Sequence, residues 1–155
     1  MNIRPRPVPC MLPEGPDPRS RTCTMASIAP SPLSDDQAVS AAALRTFFNI
    51  AAAWSLSEDQ AMALLGLTAR STFSQWRRDP DTARLSHATL ERLSYLFGIY
   101  RALQILLPTP QAADAWLHRP NQAAPFQGAS ALERMRSGRL ADLAAVRQYL
   151  DAQCG

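Results

Sequence analysis

Apolar side chains recur every three or four residues along most of the chain after residue 34, a spacing that places them on one side of a helix. The longest run is Ser86–Leu107, in which Ser86 occupies the N-cap position and Pro108 and Pro110 end the pattern. Its apolar positions are Leu90, Leu93, Leu96, Phe97, Tyr100, Leu103 and Leu107. We predict one long helix that joins the parts of the chain before and after it.

A second helical pattern begins at Ser34–Asp36, where acidic side chains favour a helix N-terminus, and runs to about Trp54. Its apolar face is predicted to consist of Val39, Ala43, Phe47, Ile50, Ala51 and Trp54. This pattern indicates a packing helix, and we assign it no chemistry.

Two short helical segments lie between these long ones. Ser57 and Gln60 have the spacing of a capping box, and Gly66 is suited to end the helix that follows. A second segment, ARSTFSQWRR, ends before Pro80, and its Phe73 and Trp76 are predicted to pack inward. Two short helices joined by a glycine-containing turn are typical of a helix-turn-helix.

The polar side chains of the second short helix are candidates for contacts in the major groove of DNA. Arg and Gln hydrogen-bond base edges, and Ser and Thr reach phosphate oxygens. The predicted DNA-binding residues are Arg70, Ser71, Thr72, Gln75, Arg77 and Arg78. The alternative is that these two helices only pack or dimerise.

The remainder of the chain predicts three more helices. The segment QAADAWLHRPN indicates a compact helix, with an inward side predicted to contain Ala112, Ala115, Trp116 and Leu117. Ser130 and Glu133 form a second potential capping box, and Gly138 ends the short helix that it opens. The last helix, over 139–153, is predicted to bury Leu140, Leu143, Val146, Tyr149 and Leu150.

Composition narrows the class of protein. The scarcity of strand signals and a hydrophobic content of 46% over 155 residues predict an all-α fold with a buried core. The net charge is +3, and every basic residue is Arg, a side chain suited to bidentate pairing with phosphate, guanine or carboxylate. Three widely spaced cysteines without a Cys/His cluster indicate neither a metal site nor a disulfide framework, so we expect a cytoplasmic protein.

Enzymatic chemistry has little support in the sequence. His87 starts a helix and His118 lies near a helix end, and neither has a Cys, Ser or carboxylate at a supportive spacing. We therefore expect no catalysis, no cofactor and no small-molecule substrate. No apolar run approaches the length of a membrane helix, so no membrane association is expected either.

Residues 1–34 are rich in Pro, Arg and Ser, and we predict that they form a disordered tail. Their arginines could contact DNA, although a tail without function is the alternative. Met25 is a possible alternative start of the chain.

The order of motifs resembles a known family. The segment LGLTARSTFSQW is similar to Xre/Cro-type helix-turn-helix domains, with one extra residue near Ala69. The later series contains Trp116-Leu117, Pro120-Asn121, Phe126, Gly128, Leu132, Gly138, Leu143, Val146 and Tyr149-Leu150-Asp151. This series resembles the toxin-binding domain of Xre/MbcA/ParS antitoxins. Here the stretch before Phe126 is longer than in the family, and Ala131 stands where Pro is common.

The resemblance implies an Xre-like helix-turn-helix domain over 35–107, including the long helix, and a toxin-binding domain over 108–155. It further implies that the chain neutralises a RES-domain toxin, which consumes NAD or transfers ADP-ribose from it, by covering the active site. Binding to its own promoter, and thus autoregulation, is also implied. A homodimer is expected, because the long helix and the first helix both offer surface for self-association.

The candidate toxin-binding residues follow from this resemblance. They are Trp116, Asn121, Phe126, Gly128, Arg134, Arg136, Arg139, Arg147 and Tyr149. Aromatic and Arg side chains dominate interface energies, which favours such a role. Core packing of the aromatic residues and a solvated arginine face are the competing interpretations. At the level of function, the alternatives are a stand-alone transcriptional regulator whose C-terminal half only dimerises, and a toxin-binding module that has lost DNA binding.

Overall fold

The computed structural model describes residues 35–155, which form one compact unit. The helices of these residues are α1 (Asp35–Ala53), α2 (Glu58–Leu65), α3 (Arg70–Arg78), α4 (His87–Leu106), α5 (Pro110–Trp116), α6 (Ala131–Met135) and α7 (Leu140–Cys154). A 3₁₀ turn, Pro80–Thr82, follows α3. The described residues contain no β-strand, so the predicted all-α fold is confirmed. The tail predicted over 1–34 lies outside the described residues.

Local capping signals place the short helices as predicted. Ser57 and Gln60 form the complete capping box of α2, and Ser130 and Glu133 form that of α6. Gly66 ends α2 in the left-handed conformation with φ 74°, which glycine adopts without a Cβ penalty.

The long helix α4 is central to the fold. Ser86 caps its N-terminus by accepting a hydrogen bond from the backbone N–H of Thr89. It packs against α1 and α2 and also against α5 and α7, so the predicted connection between the earlier and later helices is confirmed. One continuous hydrophobic cluster follows it, from Phe47 on α1 to Leu150 on α7. Because α4 is covered from several directions, Ile99 and Ala102 are buried although they lie outside the predicted stripe.

Some predicted inward positions are wrong. Val39 is 56% exposed, and Ser40, Ala41 and Leu44 are buried in its place. The hydroxyl of Ser40 accepts a hydrogen bond from the backbone N–H of Leu85, because the segment after α3 covers a side of α1 rotated away from Val39. On α5, Ala113 and Leu117 are buried, whereas Ala112, Ala115 and Trp116 are only half-buried.

Two polar contacts fasten the α5–α7 region to the earlier helices. Arg92 on α4 donates a hydrogen bond of 2.5 Å to the carbonyl of Gly138, and its Nε lies 3.0 Å from where a Cβ on Gly66 would stand. The guanidinium therefore contacts the C-terminal end of α2 and the turn before α7 together. His118 Nε2 lies 2.8 Å from the carbonyl oxygen of Trp54 and forms the second contact.

Candidate functional site

The exposed side of α3 presents short polar side chains. Ser71, Ser74, Gln75 and Arg78 are exposed and lie three or four residues apart, which puts them on one side of the helix. We call these four residues the α3 face. On the opposite side, Phe73 is buried and packs edge-on against Phe48 at 5.6 Å between ring centroids. Sequence reasoning missed Ser74, although its spacing from Ser71 was sufficient to find it.

Other predicted DNA-binding residues lie off this face. Arg70 forms an ion pair with Asp59 at 2.5 Å and lies 3.9 Å from Glu58, which ties the start of α3 to α2. Thr72 is half-buried. Arg77 lines a 360 Å³ cleft beside Phe73 and Glu58. The structure thus brings Ser71, Gln75 and Arg78 together, and separates Arg70, Thr72 and Arg77 from them.

The register of α3 follows from its first turn. Ala69 is the N-cap residue and makes no side-chain capping hydrogen bond, and α3 begins at Arg70. This register buries Phe73 but leaves Trp76 half-buried. The prediction that both aromatic rings pack inward is therefore right for Phe73 and overstated for Trp76, which lies near the exposed end of the helix.

Three aromatic residues predicted to bind a toxin form one cluster. The rings of Trp116 and Tyr149 are stacked, with centroids 6.4 Å apart and an interplanar angle of 17°. Phe126 meets Trp116 and Tyr149 edge-on, at 5.8 and 5.1 Å. Phe126 is 2% exposed, whereas Trp116 and Tyr149 are half-buried. Phe126 therefore supports the other two rings from inside.

The outer side of this cluster borders an apolar groove of about 220 Å³, which we call the aromatic groove. Its lining residues are Leu103, Leu106, Leu107, Trp116, Tyr149, Leu150 and Gln153. Gln153 is exposed at the edge of the groove, while Leu103 and Leu150 form its buried floor. A groove of this kind can accept an apolar side chain of another molecule.

The loop between α5 and α6 carries Phe126 and has a defined shape. Asn121 exchanges backbone hydrogen bonds with Gly128 and Ala129, at 2.9 and 3.1 Å. The Asn121 side chain also accepts a hydrogen bond of 2.9 Å from the backbone N–H of Ala123. Gly128 has φ 90°, a conformation that favours glycine. Asn121 and Gly128 thus close the loop under the aromatic cluster.

Two of the four predicted toxin-binding arginines surround a buried acid. Asp142 is 4% exposed and forms ion pairs with Arg134 at 2.9 Å and with Arg139 at 3.2 Å. The Ser137 hydroxyl also donates a hydrogen bond to this carboxylate. The Ser137 hydrogen bond, followed by the two nearby arginines, lowers the pKa of Asp142 despite the opposing effect of burial.

The other two arginines differ in their surroundings. Arg147 pairs with Asp151 at 2.8 Å, and its guanidinium lies over Gly98, where a Cβ would stand 1.0 Å from Nη1. Arg136 is exposed and makes no ion pair with another described residue. Within the α6 capping box, hydrogen bonds from the Ser130 backbone and hydroxyl lower the pKa of Glu133, and the charge of Arg136 contributes less.

Within residues 35–155, no three His, Cys, Asp or Glu side chains come together in a way that could hold a metal ion. No helix in this part of the chain is long and apolar enough to cross a membrane.

The fold and these surfaces define a class of protein: a helix-turn-helix, α2 and α3, joined through α4 to a second helical region with an apolar groove. Residues 34–98 match the antitoxin Xre-like helix-turn-helix domain, and residues 102–155 match the antitoxin Xre/MbcA/ParS C-terminal toxin-binding domain. The chain therefore belongs to the Xre/MbcA/ParS antitoxin family and is the antitoxin of a toxin–antitoxin system.

A relative is similar to this chain over most of its length. The uncharacterized protein y4oB of Sinorhizobium fredii (strain NBRC 101917 / NGR234) is 48% identical over 125 residues, which cover 81% of this chain and 93% of that protein. The two family matches meet within α4, between residues 98 and 102.

Proposed function

We propose that this antitoxin neutralises a RES-domain toxin, which consumes NAD or transfers ADP-ribose from it, by covering its active site. The observation that carries the proposal is the order of the two family matches, a helix-turn-helix domain followed by a toxin-binding domain. The chain acts by binding, in the cytoplasm, without a catalytic site of its own. Its helix-turn-helix binds the promoter of its own operon and represses it.

The aromatic groove is the toxin contact in this proposal. Half-buried Trp116 and Tyr149 offer large, rigid rings that bury area at a small entropic cost, as expected of interface anchors. Phe126, Asn121 and Gly128 act indirectly, because they hold the loop and the rings in place.

The four candidate toxin-binding arginines likewise include one that can contact the toxin directly and three that act indirectly. Arg136 is free of ion pairs within the described residues and can pair with an acidic group of the toxin. Arg134 and Arg139 are held by Asp142, and Arg147 by Asp151, so they shape the surface that is presented.

The α3 face is the DNA contact in this proposal. Gln75 and Arg78 have the hydrogen-bonding groups that read base edges, and Ser71 and Ser74 can donate to phosphate oxygens. Arg77 lies off this face, at the cleft beside Phe73, and adds positive charge that attracts the DNA phosphates.

The test is co-expression of the chain with the RES-domain protein encoded beside it, with cell growth and NAD content as readouts. The unaltered chain should restore both. Gln153→Trp should fill the edge of the aromatic groove without removing a ring of the cluster, and should weaken toxin binding by about tenfold or more. Gln148→Trp is the matched control, because Gln148 is exposed on α7 but does not line the groove.

Trp116→Ala should also reduce neutralisation, but it removes a packed ring, so circular dichroism must accompany it. Equal toxin affinity of the Gln153→Trp and Gln148→Trp variants would exclude the aromatic groove as the contact. A chain that binds promoter DNA but has no affinity for the RES-domain protein would instead be a stand-alone regulator.

A further inference from the structure

A second groove lies between α4 and α7 and has a volume of about 170 Å³. Its lining includes Gly98, Arg101, Ala102, Ile105, Arg147 and Cys154, and we call it the α4–α7 groove. The four α4 residues are three or four positions apart, which puts them on one side of that helix. Leu103 and Leu106, which line the aromatic groove, lie on another side of α4. The two grooves therefore flank the contact between α4 and α7.

The α4–α7 groove has an exposed apolar residue at its edge. Ile105 is 65% exposed, and Val39 is the other large apolar residue that is exposed among the described residues. Ala102, one turn before Ile105, is 4% exposed and forms an apolar floor. A single exposed apolar side chain is ordinary on a protein surface, but here it stands beside a concave floor that a side chain of another molecule can enter.

The two arginines of this groove differ in what holds them. The Arg147 guanidinium donates hydrogen bonds of 2.8 Å to Asp151 and lies over Gly98, so it forms a fixed wall. Arg101 is exposed and forms no ion pair with another described residue. Because a guanidinium is suited to bidentate pairing with a carboxylate, the groove fits a partner surface with an acidic and an apolar side chain next to each other.

The position of the α4–α7 groove indicates which partner occupies it. Ile105, Arg147 and Cys154 all lie within residues 102–155, the part of the chain that matches the toxin-binding domain. Gln153 borders the aromatic groove, and the next residue, Cys154, borders the α4–α7 groove. A protein seated on the aromatic groove can therefore reach the second groove across the last turn of α7.

We propose that the toxin also binds the α4–α7 groove, with an apolar side chain against Ile105 and a carboxylate on Arg101. This inference rests on the proposed function in that the toxin is the partner, but it does not require a RES-domain toxin. It adds two contact residues, Ile105 and Arg101, to those that the sequence predicted.

The test is calorimetric titration of the full chain with the toxin encoded beside it. Ile105→Arg should raise the dissociation constant by about tenfold or more, because a charged side chain would be desolvated against the apolar floor. Val39→Arg is the matched control, since Val39 is 56% exposed and lies outside residues 102–155. It should leave the dissociation constant unchanged, and circular dichroism should show the same helix content for both variants.

A second pair of variants tests the charge. Arg101→Glu should weaken toxin binding by about tenfold, and Arg101→Lys should weaken it less because it keeps the positive charge. Arg84→Glu is the control, because Arg84 is also exposed, forms no ion pair with another described residue and lies outside residues 102–155. Equal losses for Arg101→Glu and Arg84→Glu would show only a long-range effect of net charge and would overturn the proposed contact.

Comparison with Gln153→Trp separates this inference from the proposed function. Weaker binding of both Ile105→Arg and Gln153→Trp would support a toxin that covers both grooves. A loss for Gln153→Trp alone would overturn the second contact and leave the aromatic groove as the toxin site. An unaltered chain without affinity for the toxin would overturn both proposals. If Ile105→Arg changed the oligomeric state in sedimentation but not the toxin affinity, a second copy would occupy the groove and the inference would be wrong.

Discussion

The helix-turn-helix region and the α5–α7 region differ in how many of their candidate partner-binding arginines are held in ion pairs. Of the three arginines of α3, Arg70 pairs with Asp59 on α2, whereas Arg77 and Arg78 form no ion pair with another described residue. In the α5–α7 region, acids alternate with arginines along α6 and α7, and Asp142 and Asp151 engage three of four candidate arginines. Whether an arginine is available to bind a partner therefore depends on the acids that the fold places beside it.

The two regions also differ in their aromatic residues. In the helix-turn-helix region, Phe73 is buried and supports a polar face. In the α5–α7 region, the buried Phe126 supports two half-exposed rings, Trp116 and Tyr149. The first region thus presents polar groups of the kind that hydrogen-bond to DNA, and the second presents apolar rings suited to a protein partner.

The largest expected effect comes from the buried acid of the α5–α7 region. Asp142→Asn should lower the free energy of unfolding by about 2 kcal/mol, because Arg134 and Ser137 lose a buried charged acceptor. Asp151→Asn is the control, and should cost less than about 0.5 kcal/mol since its pair with Arg147 is largely exposed. Urea unfolding measures both. Similar values for the two variants would contradict the structural role of Asp142.

The difference in stability between the wild type and the Asp142→Asn variant should depend on pH. The pKa of Asp142 is lowered in the folded state, so its contribution to stability is present above the unfolded pKa of about 4 and is lost as the pH falls through the folded pKa. The stability advantage of the wild type over Asp142→Asn should therefore shrink below about pH 4. An advantage that grew with acidification would show that the carboxylate is not stabilised as described.

A second variant pair tests the arginines of α3. Arg78→Ala should weaken promoter binding by about tenfold and reduce the slope of log affinity against log salt by about 1. Arg70→Ala should weaken binding by less, since Asp59 already holds that side chain. Fluorescence anisotropy over a salt series measures both quantities. A larger loss for Arg70→Ala would mean that DNA displaces Asp59, and would reverse the assignment.

The smallest expected effect concerns the contact between the two regions. Gly66→Ala and Gly138→Ala both place a Cβ on a residue with positive φ, at 74° and 79°. Only the Cβ at position 66 meets an obstacle, Arg92 Nε at 3.0 Å, so Gly66→Ala should be less stable than Gly138→Ala by about 0.5 to 1 kcal/mol.

A double-mutant cycle with Arg92→Ala isolates this contact. The cycle should show an interaction energy between positions 66 and 92 and none between an exposed α7 residue, Gln148, and position 92. Additive effects at 66 and 92 would mean that Arg92 does not press on the end of α2.

Local signals in the sequence determined the helices and their ends. The serine caps of α2, α4 and α6 and the turn at Gly66 depend on hydrogen bonds within a few residues, so their spacing is sufficient to predict them. The all-α fold and the inward position of Phe73 follow from the same short-range periodicity. The order of family motifs likewise needs only the sequence.

Tertiary structure decided which side of each helix is covered and which charges are paired. The exposure of Val39, the burial of Ser40 and the ion pair between Asp142 on α7 and Arg134 on α6 all depend on residues brought together by the packing of other elements. Helical periodicity defines a stripe but not the neighbour that covers it, because burial is a property of distant segments meeting in space. The aromatic groove therefore became visible only in the folded chain.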